Sequence, residues 1–168
     1  MRRIVLGLAV SLDGFIEGPN GEYDWCFTDQ DYGLTDFFKS IDAIFIGRKS
    51  YEVARSNGGM DMWKGTKTYV FSNTVAPADD ITIIRSMNEV GPIIDSPGKD
   101  IWLFGGAELT TAFINAGLVD ELWLSIHPIL LGSGKPLFQS INGRKQLKLT
   151  ESKTYETGLV SLKYAQIK

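Results

Sequence analysis

The sequence predicts a three-layer α/β/α architecture, with a mostly parallel central sheet, helices on both faces and an antiparallel hairpin at its C-terminal end. Three observations predict it. Short apolar runs alternate with amphipathic stretches along most of the 168 residues, the signature of strands joined by crossover helices. Several of those runs, such as Ile44–Ile46, are continuously apolar, as strands buried on both faces must be. The tail, by contrast, alternates in hydropathy and carries a turn signal at Glu156-Thr157-Gly158.

The elements follow in order. Residues 3–10 form a nearly unbroken apolar run and read as the first strand. Residues 11–25, rich in Gly, Pro and Asn, read as a long loop. Leu34, Phe37, Phe38 and Ile41 recur at helical spacing within 32–42, predicting an amphipathic helix. Residues 43–47 are a second strand, and a helix begins directly after Gly47. Strands follow at 67–73 and 81–86, then a short helix over 87–95. Residues 101–106 are a fifth strand, and the helix after it is closed by Gly117. Residues 121–132 read as one long strand. The Gly/Pro stretches at 56–66 and 91–98 are too short to separate cores, so the reading is one domain over 1–168.

Composition excludes several classes. The chain is 43% hydrophobic and 22% charged, a globular profile, and its net charge of -3 argues against a general nucleic-acid binder. Cys26 and His127 are the only cysteine and the only histidine, which rules out an intrachain disulfide and a His/Cys zinc site. Cys26 has no evident activating neighbour. No serine sits in a G-x-S-x-G elbow. The basic, then apolar N-terminus runs into Asp13-Gly14 without a small-residue cleavage site, and no run reaches membrane-span length. The expectation is a cytoplasmic protein with no metal, nucleic-acid or membrane partner.

In an open α/β sheet, ligands bind beyond the carboxyl ends of the strands. The second strand delivers Gly47, Arg48, Lys49 and Ser50 there. A glycine permits close approach, a helix N-terminus offers free N–H groups, and arginine presents a fork of donors to phosphate. The same residues equally fit a solvated helix start with two surface cations. The third strand exits through Ser72 and Asn73, the fifth through Gly105 and Gly106. A Gly pair is more often a tight turn, and this one is not the G-x-G-x-x-G fingerprint. Three such exits together suit a ligand with separated phosphates. The extra cation pair favours NADPH over NADH.

At these residues the chain resembles the dihydrofolate reductase superfamily, and within it the reductase domain of the bifunctional riboflavin-biosynthesis deaminase-reductase. The resemblance rests on S-L-D-G-F-I at 11–16, I-G-R-K-S-Y-E at 46–52, V-F-S-N at 70–73, F-G-G-A-E-L at 104–109 and D-E-L-W-L-S-I-H-P-I-L-L-G-S-G at 120–134. It implies a dihydrofolate-reductase-like fold that binds NADPH. Gly47, Arg48, Lys49 and Ser50 would face its phosphates, Arg48 near the 2′-phosphate, with Ser72 and Asn73 at the adenosine end. Gly105 and Gly106 would approach the pyrophosphate and nicotinamide, a place where a non-proline cis bond is allowed for. Ala107, Glu108 and Leu109 would extend that contact. Ala9 and Ile16 would offer backbone groups to the carboxamide.

For the substrate side, Trp25, Phe27 and Phe104 are candidate apolar walls around a flat ring and equally fit core aromatics, while the resemblance implies Ser125 as a pocket residue and a carboxylate early in the first helix. Asp29, Asp31 and Asp36 lie in that region, and Asp31 is the candidate for supporting protonation. Asp29 and Asp31 also fit helix capping. His127 reads as a packed strand histidine. The expected reaction is hydride transfer to a small heterocycle or ribosylaminopyrimidine. The alternatives are a pterin reductase and a non-catalytic nucleotide-binding protein. The zinc deaminase motifs H-x-E and P-C-x-x-C do not occur. The long strand and hairpin tail are the expected interface of a homodimer.

Overall fold

The computed structural model describes residues 1–167. An eight-stranded sheet runs in the order β5-β4-β3-β6-β1-β7-β10-β9. Its first six members are β5 (Ile81–Ile84), β4 (Lys67–Phe71), β3 (Ile41–Gly47), β6 (Asp100–Gly105), β1 (Ile4–Ser11) and β7 (Glu121–His127), all parallel. The hairpin of β9 (Leu147–Thr154) and β10 (Val160–Gln166) adds two antiparallel strands beside β7. Helices α1 (Leu34–Ser40) and α2 (Arg48–Ser56) cover one face; α3 (Val90–Asp95) and α4 (Ala107–Asn115) cover the other. The architecture is the predicted one.

The period of two along β3 explains the layers. Ile44 and Ile46 pack with Tyr51 and Ala54 of α2, while Ala43 and Phe45 pack with Phe113 and Ile114 of α4. Each is fully buried or nearly so, and burying a side chain such as Phe45 contributes roughly 1.5–3 kcal/mol. Gly7 on β1 is needed for close packing. Its carbonyl accepts the Trp102 indole N–H at 2.8 Å, and a Cβ there would stand 3.2 Å from that nitrogen.

Several elements differ from expectation, among them the strands expected over 67–73 and 81–86, which end at Phe71 and Ile84. The first helix starts at Leu34, after Tyr32 and Gly33 take positive φ (49° and 91°), and Ile41 joins β3 in extended conformation. The strand expected over 121–132 stops at His127, because Pro128 has no N–H and the Ile129 N–H bonds back to the His127 carbonyl. Within the expected loop 11–25, β2 (Phe15–Glu17) pairs with β8 (Lys135–Pro136). The stretch 56–66 holds a 3-10 turn over Gly59–Trp63 that buries Trp63. Among the described residues no helix is long and apolar enough to cross a membrane.

Candidate functional site

The chain leaves β3 towards β4, but leaves β6 through α4 towards β7, on the other side of β1. The crevice between β3 and β6 is therefore the switch point of the sheet, where open α/β sheets bind ligands. Two helices begin there. Gly47 caps α2 and Gly106 caps α4, both in extended backbone and neither with a side-chain cap. The first-turn N–H groups of both helices are thus left to solvent or to a ligand.

The two strand ends touch through glycine. A Cβ on Gly47 would stand 3.5 Å from the Gly105 carbonyl oxygen and 3.6 Å from the Gly106 nitrogen. A Cβ on Gly106 would stand 3.3 Å from Ser50 Oγ. Gly105 has φ of 101°, and the Gly105–Gly106 peptide is cis. Over this floor opens a cleft of about 520 Å³.

Ten of the sequence candidates line it. Gly47, Arg48, Lys49 and Ser50 come from the start of α2, and Ser72 and Asn73 from the exit of β4. Gly106, Ala107, Glu108 and Leu109 come from the start of α4. Arg48 reaches along its own helix to Glu52, with Nη1 3.1 Å from both carboxylate oxygens, and both side chains remain about half exposed. That pair is open to solvent and so holds Arg48 only weakly. The Ser72 hydroxyl accepts the Thr74 and Val75 N–H groups at 3.0 Å each, which shapes the turn at the mouth.

The cleft also recruits residues beyond those candidates: Thr74, Arg85, Ser86, Met87, Lys135 and Gln139. Arg85 and Ser86 leave β5 at the same edge as Arg48 leaves β3, so the strand-end rule applied to β5 would have found them. Arg85 Nη1 donates to the Asn73 carbonyl at 3.3 Å, and its backbone N–H is held by Glu89. Lys135 carried no local signal. It follows a glycine turn far along the chain and reaches the cleft through the pairing of β8 with β2.

The remaining candidates fall elsewhere. Ala9 and Ser125 are paired across β1 and β7, and His127 follows on the same strand. Trp25 meets the His127 ring edge-on at 5.3 Å, and its indole N–H is buried without a hydrogen-bond partner. Phe104 stacks at an angle on Trp102 (4.9 Å) and Trp63 (5.4 Å) in the aromatic layer under α1. Ile16 sits in β2 against the core. Asp31 is exposed and accepts both the N–H and the hydroxyl of Thr35 at 2.8 Å, the capping arrangement at the start of α1. Those bonds hold its carboxyl below the usual range.

His127 is buried. Its Nε2 accepts the Phe27 N–H at 3.1 Å, so the proton is assigned to Nδ1, which faces the Ser125 carbonyl at 2.9 Å. Burial lowers its pKa, against the opposing effect of that carbonyl. Burial, aided by Asp24, pushes the Cys26 thiol up to about 11, which leaves it a thiol at neutral pH. Among the described residues no group of His, Cys, Asp or Glu is arranged to hold a metal.

Two helix starts meeting over bare glycine backbone form an anion-seeking cleft of the kind open α/β folds carry at a switch point. The RibD C-terminal domain profile matches residues 2–161, and the chain belongs to that family. It is 48% identical to the uncharacterized protein YyaP of Bacillus subtilis, over 97% of this chain and 94% of YyaP. Two solved structures share the fold. One is a diaminohydroxyphosphoribosylaminopyrimidine deaminase/5-amino-6-(5-phosphoribosylamino)uracil reductase of Thermotoga maritima (TM-score 0.75, 13% identical, covering 99% of this chain and 57% of that one). The other is a dihydrofolate reductase of Enterococcus faecalis in complex with NADP(H) (TM-score 0.72, 18% identical, covering 99% and 97%).

Proposed function

We propose that this protein is an NADPH-dependent reductase that transfers hydride to a small heterocycle or an open ribosylaminopyrimidine. The reading is of the kind performed by 5-amino-6-(5-phosphoribosylamino)uracil reductase. The observation that carries it is the glycine floor between two uncapped helix N-termini at the switch point, rimmed by Arg48, Lys49, Arg85 and Lys135. A Cβ on Gly47 or Gly106 would occupy part of that floor, so the cradle fits a pyrophosphate that lies against bare backbone.

When bound, NADPH supplies the hydride. The chain's own residues bind and orient. Arg48 exchanges its exposed partner Glu52 for the 2′-phosphate, and Arg85 adds a second cation on the same side. The first-turn N–H groups of α2 and α4 would donate to the remaining phosphate oxygens. We assign the wall for the reacting rings to Ala9 and Ser125, paired across β1 and β7, and to Trp25, which packs on His127 of β7; these three lie outside the residues that line the cleft. Asp31 is committed to Thr35 and stays ionised at neutral pH, so water admitted at this wall is the proton source.

That same commitment of Asp31 favours the second reading, a nucleotide-binding protein without turnover. Oxidation of NADPH in the presence of the aminopyrimidine, or of dihydrofolate, separates the two. The proposal extends to a cytoplasmic homodimer. Edge strand β9, exposed at every residue and carrying Leu147 and Leu149 outward, is the surface that supports pairing.

The test is a titration with NADPH and NADH followed by tryptophan fluorescence, with Arg48→Ala alongside. A charge-assisted bond to phosphate contributes about 1.5–3 kcal/mol. The expected result is therefore a preference for NADPH of roughly ten- to hundredfold that Arg48→Ala removes. Binding of neither cofactor refutes the proposal.

A further inference from the structure

Lys135 is built into the rim of the cleft by contacts that lie wholly outside it. The turn before it is tied to the first loop at several points. Asp13 accepts the Leu131 and Gly132 N–H groups at 3.1 and 2.8 Å, and the Leu137 N–H donates to the Gly14 carbonyl at 2.9 Å. Strands β2 and β8 place Glu17 opposite Lys135. Gly134 cannot carry a side chain, because a Cβ there would stand 2.1 Å from the Glu17 carbonyl oxygen. The backbone of Lys135 is therefore fixed, and only its flexible stem is free to choose a partner.

In this structure the partner is Glu17, with Nζ 2.6 Å from Oε1 and both side chains about one-third exposed (37% and 32%). Lys135 also lines the cleft, together with Gly106 and Ala107 at the start of α4. Gln139, four residues on, is bound to α4 by the Thr111 hydroxyl at 2.8 Å. The segment thus runs beside α4, at the opposite end of the cleft from the contact of Arg85 with Asn73. A pair one-third exposed, with a single carboxylate, is a weak hold. A phosphate group at the α4 N-terminus offers more charge and more acceptor atoms.

We propose that Lys135 is a phosphate ligand of this cleft, held in reserve by Glu17 and surrendered to the pyrophosphate when a dinucleotide binds. The inference rests on the cofactor reading above and deepens it. Glu17 then acts as a competitor: it weakens cofactor binding, and it does so only through Lys135. Because the pyrophosphate is common to both cofactors, Lys135 acts on NADPH and NADH alike, unlike Arg48.

The test is calorimetric titration with NADPH and NADH of the wild type, Lys135→Met, Lys135→Arg, Glu17→Gln and the double variant Lys135→Met/Glu17→Gln, with thermal melts of each. Lys135→Met is expected to bind both cofactors about tenfold more weakly, and Lys135→Arg to bind close to wild type. Glu17→Gln is expected to bind about threefold more tightly, and the double variant to match Lys135→Met. Two results overturn the inference while leaving the cofactor reading intact. One is wild-type affinity in Lys135→Met. The other is a loss in Glu17→Gln as large as that in Lys135→Met, which marks the pair as a brace for β2 and β8. A wild-type protein that binds neither cofactor overturns both.

Discussion

Replacing Gly47 with alanine separates what the fold needs from what the ligand needs. The backbone at Gly47 has φ of -76° and ψ of 156°, which alanine adopts without strain. The added Cβ meets its nearest neighbours at 3.5, 3.6 and 3.9 Å, ordinary contact distances. Nothing in the free protein resists the change. A Gly→Ala substitution of this kind stabilises by about 0.4–1 kcal/mol through the unfolded chain, which for a protein of this size raises the melting temperature by roughly 1–3 °C. The cleft responds differently. The methyl stands on the floor between the two helix starts, where the cofactor backbone would lie, and crowding of one methyl costs about 1–3 kcal/mol. NADPH affinity is expected to fall by roughly five- to hundredfold while stability holds or rises. Calorimetric titration beside a thermal melt reads both. Gly91→Ala is the control: its Cβ meets nothing within 4 Å, and it lies outside the cleft lining. Wild-type affinity in Gly47→Ala would refute the argument that the bare backbone serves the ligand, and a lowered melting temperature would assign the glycine to the fold.

Two further outcomes are expected. Asp31→Ala removes the acceptor for the Thr35 N–H and hydroxyl, so the melting temperature falls while NADPH affinity stays unchanged; a fall in affinity with no loss of stability would contradict the capping role. His127 has a lowered pKa in the fold, so the unfolded chain takes up a proton near pH 6.5 and the native chain does so only at lower pH. Its contribution to stability is therefore complete above 6.5 and declines as pH falls from there towards the native value, by at most about 1.4 kcal/mol per pH unit. Denaturant unfolding between pH 8 and 5 reads this slope, and His127→Gln should flatten it; a slope of the opposite sign would contradict the buried neutral imidazole.

What the sequence made legible was whatever is local to one strand or one helix. Helix α2 begins where the residues say, at Arg48, because Gly47 ends an apolar run and a helical period takes over at once. The cleft was legible for the same reason: each strand brings its own exit residues to a common edge, so Arg48, Ser72 and Gly106 could be read one strand at a time. Position along β7 was harder, since the apolar residues Ile129, Leu130 and Leu131 continue the strand pattern past a proline that ends it. Strands β2 and β8 have three and two residues, too few to carry a period, and exist only because they find each other. Lys135 was hidden with them. Asp31 shows the opposite limit, a carboxylate in the expected stretch whose side chain is spent on its own helix.

The strand order has a consequence for how the protein comes to be made. β1 lies inside the sheet with its neighbours far away in the chain: Ile4–Leu6 pair with Ile101–Leu103, and Val5–Ser11 with Glu121–His127. A ribosome adding about 5–20 residues per second needs roughly 6–25 s to produce those partners after β1 has emerged. Until β6 is made, the apolar strand β1 has neither edge satisfied, while β3, β4 and β5 can already associate. Parallel pairing over such separations is slow to close. A nascent chain stalled after α4 would offer β1 one partner and leave its other edge bare, which makes the arrival of β7 the step that commits the sheet.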